Sequence, residues 1–188
     1  AFGLASALSV VVLGDESGYS VSEHQHMKLA AIEAMWETEK APAGFTLVAS
    51  PDQAAQVNRG EIKIPWALGL IATRSVSAEL PGIKDLVKKA EARIRSGLVA
   101  YDALERYKVN RSDAEARKAV VAGANDLGHA LLLKRYVADP RKADDATIVK
   151  AALDTVPNVT PLFWSFRLMV GLGFFFIAFF AYAFWVST

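Results

Sequence analysis

The sequence predicts a mostly α membrane protein segment: two transmembrane helix portions joined by a long, largely helical extramembrane loop that includes a short β-hairpin. Three observations carry this reading. Of the 41 charged side chains in 188 residues (21 Lys and Arg, 20 Asp and Glu), 40 fall between Gly14 and Thr160. Residues 1 to 13 hold none, and residues 161 to 188 hold only Arg167. The run from Leu168 to Val186 is 19 residues without a charge, long enough at about 1.5 Å per residue to cross about 30 Å of hydrocarbon.

The first segment, AFGLASALSVVVLG, is as apolar as the last but too short to span a bilayer. It reads either as an interfacial piece or as the second half of a membrane helix. The chain begins at Ala1 without Met and without the basic region of a signal peptide, which favours a piece of something longer. Ser22 followed by Gln25 forms a capping-box pattern opening SEHQHMKLAAIEAMWETEK, a helix expected to run until Pro42 stops it. Met27, Ala31, Ala34 and Met35 form one apolar stripe of that helix, and Leu29, Ile32 and Trp36 another.

FTLVAS, a turn at Pro51-Asp52, and EIKIP after Gly60 read as the two strands of a hairpin. After Pro81-Gly82, apolar residues from Ile83 to Leu104 recur at helical spacing and predict a helix to about Lys108. Ser112 with Glu115 is a second capping box, opening a helix to about Val137, and a shorter helix runs from about Asp144 to Thr155 before Pro157. In the final segment, 11 of the chain's 19 aromatic residues lie between Phe163 and Trp185, with Trp164 and Trp185 placed near its two ends as interface anchors. The segments divide as 1–13, the end of one membrane helix; 14–79, the N-terminal part of the loop; 80–160, a helical insertion with the loop's C-terminal part; and 161–188, the next membrane helix. A loop of that length escapes the Lys/Arg orientation rule, so its side of the membrane does not follow from charge.

A net charge of +1 without a basic stripe argues against nucleic acid as a partner, because phosphate neutralisation needs a concentrated Lys/Arg face. The absence of cysteine excludes a disulfide scaffold, a thiolate zinc site and an Fe–S cluster within this stretch. His24 and His26 lie two apart on the expected helix, where side chains diverge by about 200°, so they cannot share a metal on one face. His129 stands alone on an amphipathic helix, and solvated or hydrogen-bonded histidines account for all three.

Lys28 and Glu33 interrupt the apolar run KLAAIEAMW, and their separation places them about 140° apart, flanking one groove. A polar headgroup in that groove would meet an ammonium donor and a carboxylate acceptor; the alternative is two solvated side chains. Arg167 stands at the threshold of the last apolar run, where it either anchors the interface or pairs with an acid in a protein cavity. Met169 offers a thioether, a known axial haem ligand that raises the iron potential, and Gly171 and Gly173 leave room for a close neighbour.

The runs GLASALSVVVLGDESGY, SEHQHMKLAAIEAMWETE, IPWALGLIATRSV and FRLMVGLGFFF resemble subunit I of the cytochrome bd quinol oxidases of bacteria and archaea, essentially along the whole chain. The most specific parts are GDESGY and KLAAIEAMWET; roughly Leu80 to Val156 matches the long insertion of one branch. The resemblance implies the quinol-binding loop between the sixth and seventh helices of a multi-pass subunit, on the outer (periplasmic) side of the bacterial plasma, or inner, membrane. It places the family's catalytic and quinol-binding lysine and glutamate on Lys28 and Glu33, the axial methionine of haem b558 on Met169, and a haem-stabilising arginine on Arg167. Asp15 and Glu16 belong to the motif without an assigned role.

Implied with it are electron transfer from ubiquinol or menaquinol through haem b558 to haems b595 and d, electrogenic reduction of dioxygen to water, a second subunit, small single-helix accessory subunits, and membrane lipid. This stretch alone is not expected to be an oxidase. The alternative is a single-pass membrane-anchored helical interaction module without redox activity.

Overall fold

The computed structural model describes residues 1–75 and 77–187 of the chain, which divide into two compact units, residues 1–84 with 157–188 and residues 85–156. The first unit is built from α1 (Phe2–His24), α2 (His26–Ile32), β1 (Phe45–Asp52), β2 (Val57–Ile64), α3 (Ala67–Thr73) and a last helix, Val159–Ser187. Among the described residues, that last helix alone is long and apolar enough to cross a membrane.

The first helix does not stop at the expected capping box. Ser22 donates its hydroxyl to the Tyr19 carbonyl at 2.7 Å, bonding back into its own helix instead of capping a new one, and α1 continues to His24. The break comes at Gln25 (φ −130°, ψ 54°), so His24 and His26 end up on different helices. The second helix is correspondingly shorter than expected, ending at Ile32 rather than near Pro42.

Its stop is a Schellman motif, which needs a left-handed residue just past the helix. Ala34 supplies it with φ 49°; its N–H bonds to the Ala31 carbonyl at 3.2 Å, and the Met35 N–H to the Ala30 carbonyl at 2.8 Å. Ala34, Met35 and Trp36 are nevertheless buried, so the apolar pattern that read as more helix is core contributed by an irregular segment.

Beyond it the chain runs alongside the segment before the insertion. Glu39 and Leu80 exchange backbone hydrogen bonds, and the Met35 and Trp36 carbonyls accept from Ile83 and Lys84. The hairpin forms as expected but with other limits: Pro51 and Asp52 belong to β1, β2 begins at Val57, and Gln56 (φ 54°) completes the turn. Register shifts within the antiparallel pair mark bulges, one beside Gly60, whose φ of 60° suits a residue lacking Cβ. Helix α3 is a feature that sequence patterning did not single out, because seven residues are too few to show a periodicity.

The second unit comprises the bulk of α4 (Ile83–Val109), then α5 (Ala114–Ala122), α6 (Ala124–Ala130), 3₁₀ turns at Leu131–Arg135 and Pro140–Lys142, and α7 (Asp145–Leu153). Ala90, Ile94, Leu133, Ile148, Ala151 and Ala152 make its core. The single helix expected from Ser112 to Val137 is broken into pieces at Gly123 and Leu131, and its cap is Asp113, which accepts from the Ala116 N–H at 2.8 Å. Asp144 caps α7 in the same way through Thr147. The last helix, α8 (Val159–Ser187), begins nine residues before the apolar run from Leu168, and the hairpin-turn residue Gln53 accepts from the Val159 N–H at 3.0 Å. Arg167 therefore lies in the third turn of a continuous helix, immediately before its apolar run begins.

Candidate functional site

The end of α2, the start of β1 and the third turn of α8 converge on one charged pair. Glu33 is the C-cap of α2 and only 2% exposed; Arg167 reaches it from α8 with Nη2 2.8 Å from Oε2. The remaining guanidinium donors are spent on backbone: Nη1 donates to the Ile32 carbonyl at 2.5 Å, and Nε and Nη2 both donate to the Thr46 carbonyl. Arg167 also lies over aromatic rings, 3.7 Å from the Phe163 centroid and 5.1 Å from that of Phe45. A planar cation with this many donors can be held among apolar rings because every guanidinium nitrogen has an acceptor and the ring faces are electronegative.

The scaffold around the pair explains why Glu33 is held inside. Asn58 of β2 donates to the Ala34 carbonyl at 2.9 Å and accepts from the Trp36 indole at 2.9 Å, so the exit of α2 is pinned to the hairpin. Thr46 donates its buried hydroxyl to Glu61 at 3.0 Å, and Lys63 bridges Glu61 and Glu39. Burial pushes the Glu33 carboxyl up to about 7; Arg167 opposes that rise through its charge and hydrogen bond, and Glu39 adds slightly to it. A carboxyl tuned toward neutrality can gain and lose a proton under ordinary conditions.

Of the residues singled out from sequence, the structure joins Glu33 to Arg167, choosing the acid-pairing alternative for Arg167. Lys28 is exposed on α2, whereas Glu33 is buried. Met169, two residues after Arg167, faces away from the pair and is 60% exposed. Asp15 and Glu16 acquire partners: both accept from Arg74 Nη2, at 2.8 and 2.6 Å, and Arg74 also stacks on Tyr19. His24 contacts the Ser20 carbonyl, and burial lowers the His129 pKa; no cluster of three metal-binding side chains occurs among the described residues. Sequence reading missed Phe45, Thr46, Asn58 and Phe163. The Phe163–Arg167 spacing of one helical turn was available as a signal, whereas a Thr46 main-chain carbonyl leaves none.

The family model for cytochrome bd terminal oxidase subunit I matches residues 1–188. Among curated proteins, the cytochrome bd-II ubiquinol oxidase subunit 1 of Escherichia coli (strain K12) is 37% identical over 172 residues, 92% of this chain and 34% of that protein. The cytochrome bd ubiquinol oxidase subunit 1 of Bacillus subtilis (strain 168) is 27% identical over 171 residues, 91% of this chain and 25% of that protein. Among solved structures, the bd oxidase from Geobacillus thermodenitrificans aligns with 98% of this chain and 47% of that chain at 17% identity and a TM-score of 0.39. The chain thus spans about a third of the first curated relative and a quarter of the second. With the model matched from the first residue to the last, it belongs to the cytochrome bd terminal oxidase subunit I family.

Proposed function

We propose that this chain is the quinol-oxidising segment of a membrane-bound terminal oxidase. In this reading residues 1–13 end one span, 14–79 form the N-terminal part of the quinol loop, 80–160 hold the insertion with the loop's C-terminal part, and 161–188 enter the next span. The observation that carries it is the placement, within one turn of α8, of both the cation that holds the loop carboxylate and a thioether: Arg167 and Met169. One rigid helix then links the group that handles a substrate proton to a residue suited to hold an electron acceptor.

The residues fit a haem at that point. Met169 presents a soft sulfur donor on an exposed apolar face, Gly173 follows one turn later, and a Cβ at Gly171 or Gly173 would meet nothing within 4 Å. Haem b558 bound through Met169 would supply one-electron acceptance at a potential raised by the thioether.

The chain's own residues do the rest of the local work. Glu33 Oε1 or Oε2, when ionised, accepts a proton from a quinol hydroxyl, and Arg167 holds the carboxylate at the α8 surface while it does so. Lys28, exposed one to two turns away on α2, offers its ammonium to a quinol oxygen at the mouth of the site. Haems b595 and d, dioxygen reduction to water, the electrogenic proton movements, a second subunit and small accessory subunits belong to the rest of the complex. The loop faces the outer side of the bacterial plasma membrane. Once the family is known, no observation favours a redox-silent anchored module.

The test uses the intact oxidase. Met169→Leu should shift or abolish the low-spin b component of the reduced-minus-oxidised spectrum; an unchanged spectrum removes Met169 as ligand. Lys28→Ala and Glu33→Gln should slow oxidation of quinol while turnover with an artificial electron donor continues. Equal loss with both donors would instead indicate a damaged fold.

A further inference from the structure

We propose that α3 is an interfacial element that lays Leu70, Ile71 and the adjoining Trp66 into the headgroup region of the lipid membrane. The proposal rests on reading α8 as a membrane span.

From Ile64 to Thr73 the chain carries no charge, between Lys63 and Arg74. Its short helix is two-faced: Leu68, Gly69 and Ala72 are buried against the first unit, whereas Trp66, Leu70 and Ile71 are 54%, 52% and 55% exposed. Three large exposed apolar side chains within six residues, Trp66 to Ile71, are costly in water and ordinary at a bilayer surface, where tryptophan is enriched.

The height of α3 is fixed by its neighbours. Helices α1 and α8 pack together with Gly3 against Phe180, where a Cβ on Gly3 would lie 2.8 Å from the ring. Toward the other end of α8, Arg167 bonds to Ile32, the last residue of the α2 that follows α1 after Gln25, and α2 also packs on α8, so α1 and α8 run in opposite directions. Ten residues along each from Gly3 and Phe180, about 15 Å at about 1.5 Å per residue, lead to Leu13 and Val170, which are therefore at one level. Leu13 lies one residue short of the end of the first uncharged run, at Gly14, and Val170 lies two residues inside the last, which begins at Leu168. Asp15 and Glu16, the first charges past Leu13, are the residues that clamp Arg74, the C-cap of α3. Helix α3 also packs on α1 directly. Its exposed apolar face is thus tied to the level at which both long helices leave the hydrocarbon.

The hairpin tip provides an internal contrast. Gln53 bonds to Val159, eight residues before Arg167 on α8, so the neighbouring Val57 stands about two turns further from the apolar run.

The experiment places a single environment-sensitive fluorophore at Leu70→Cys, Ile71→Cys, Val57→Cys or Phe176→Cys in the intact oxidase, reconstituted in vesicles of phosphatidylethanolamine and phosphatidylglycerol. Quenching by lipids carrying a nitroxide near the headgroup is compared with quenching by aqueous iodide. Labels at 70 and 71 should be quenched by the lipid nitroxide about twofold or more above the label at 57, which iodide should quench instead. Iodide quenching at 70 and 71 without lipid quenching overturns the proposal in favour of an aqueous surface. Protection from both quenchers overturns it in favour of cover by the remainder of the subunit. The label at 176 reports separately on the span: if nitroxides placed deep in the acyl chains fail to quench it, the reading of α8 has failed and not the placement of α3 alone. Haem content and quinol turnover of each labelled sample confirm that the native assembly is being measured.

Discussion

Arg167 Nη2 and Glu33 Oε2 lie 2.8 Å apart across 134 residues of sequence, and the two side chains are only 8% and 3% exposed. Breaking such a pair from one side leaves a buried charge uncompensated, at a cost of roughly 3–5 kcal/mol, whereas replacing an acid by an isosteric amide keeps an acceptor for the guanidinium. Arg167→Met should therefore open the contacts among α2, β1 and α8, and Glu33→Gln should do so far less. Hydrogen exchange of residues 29–36 and 45–49 in the intact oxidase measures this directly. Equal exchange in the two variants would show that the pair does not hold these elements together.

The same carboxyl makes stability pH-dependent, and the sign follows from the direction of its shift. Glu33 is raised from 4.5 to about 7 chiefly by burial, so between those values the folded state binds more protons than the unfolded chain. Stability from this group is fully present below about 4.5 and is lost as pH rises toward 7, by at most about 1.4 kcal/mol per pH unit. Glu33→Gln should flatten that portion of the stability curve measured by local hydrogen exchange corrected for intrinsic rates. The protonated-carboxyl stretch that disappears in an infrared difference spectrum of Glu33→Gln should titrate near neutrality in the parent. A band already fully ionised at pH 5 would refute the assignment.

The C-terminal stop of α2 offers a test in the opposite direction. Ala34 adopts φ 49° in the Schellman motif, a conformation that costs an L-residue roughly 1–2 kcal/mol and glycine almost nothing. Ala34→Gly should therefore be neutral to stabilising by about 1 kcal/mol despite removing a buried methyl group, and Ala34→Val should be clearly destabilising. Exchange protection of the Met35 N–H, which closes the motif on Ala30, reads the result. Greater loss of protection in the glycine variant than in the valine variant would mean that packing of the Ala34 methyl outweighs backbone strain.

How much of this was legible in the sequence depends on which interaction fixed each element. The charge-free run of α8, the long amphipathic α4 and the Asp144-initiated α7 are set by local composition and emerge with nearly the right limits. The extent of α2 does not, because Met35 and Trp36 satisfy a helical apolar pattern while being buried by contacts with residues 58, 83 and 84, far along the chain. Similarly, Ser112 with Glu115 is a valid capping box on paper, but Asp113 wins the cap by accepting from Ala116. For the candidate site, the residue types were readable and their partnership was not: Glu33 and Arg167 each stood out as a charge within apolar sequence, and only the fold closes the distance between them. Phe163 and Arg167 one turn apart were visible in principle as a ring beneath a cation. The Ile32 and Thr46 carbonyls, which take most of the guanidinium's donors, have no signature at all.

Close backbone approach sets a further expectation at Gly82. A Cβ there would stand 2.2 Å from the Glu37 carbonyl carbon and 2.4 Å from its oxygen, contacts with main chain that no rotamer change relieves. The segment carrying Glu37 is meanwhile held on both sides, by the Glu39–Leu80 bonds and by Ile83 and Lys84 bonding to Met35 and Trp36. Gly82→Ala must therefore separate the two strands of chain or distort them, at a cost of about 1–3 kcal/mol. The loss should appear as faster exchange at Glu39, Leu80 and Ile83 with little change at Ile94 or Ile148 in the core of the second unit. Uniform acceleration in both units would show that Gly82 governs global folding, and no change at Glu39 would show that the close approach is absent.

The Arg74 clamp supports a last prediction, in which geometry matters more than charge. Arg74 serves Asp15 and Glu16 from a single Nη2 while its guanidinium lies 4.6 Å from the Tyr19 ring centroid, and the three charged side chains remain substantially exposed. Exposed ion pairs contribute little to global stability, so neither Arg74→Lys nor Arg74→Gln should unfold the protein. Lysine retains the charge but lacks the planar guanidinium that stacks on the Tyr19 ring while its Nη2 serves both carboxylates. Both variants should therefore loosen α3 from α1, with lysine closer to glutamine than to arginine, and Asp15→Asn combined with Glu16→Gln should reproduce the effect from the other side. Site-directed spin labels on α3 at position 70 and on α1 at position 18, read as a distance distribution in the intact oxidase, would broaden in all three. If lysine preserved the parent's narrow distribution, simple charge attraction and not the planar guanidinium would be what fixes α3 to the first helix.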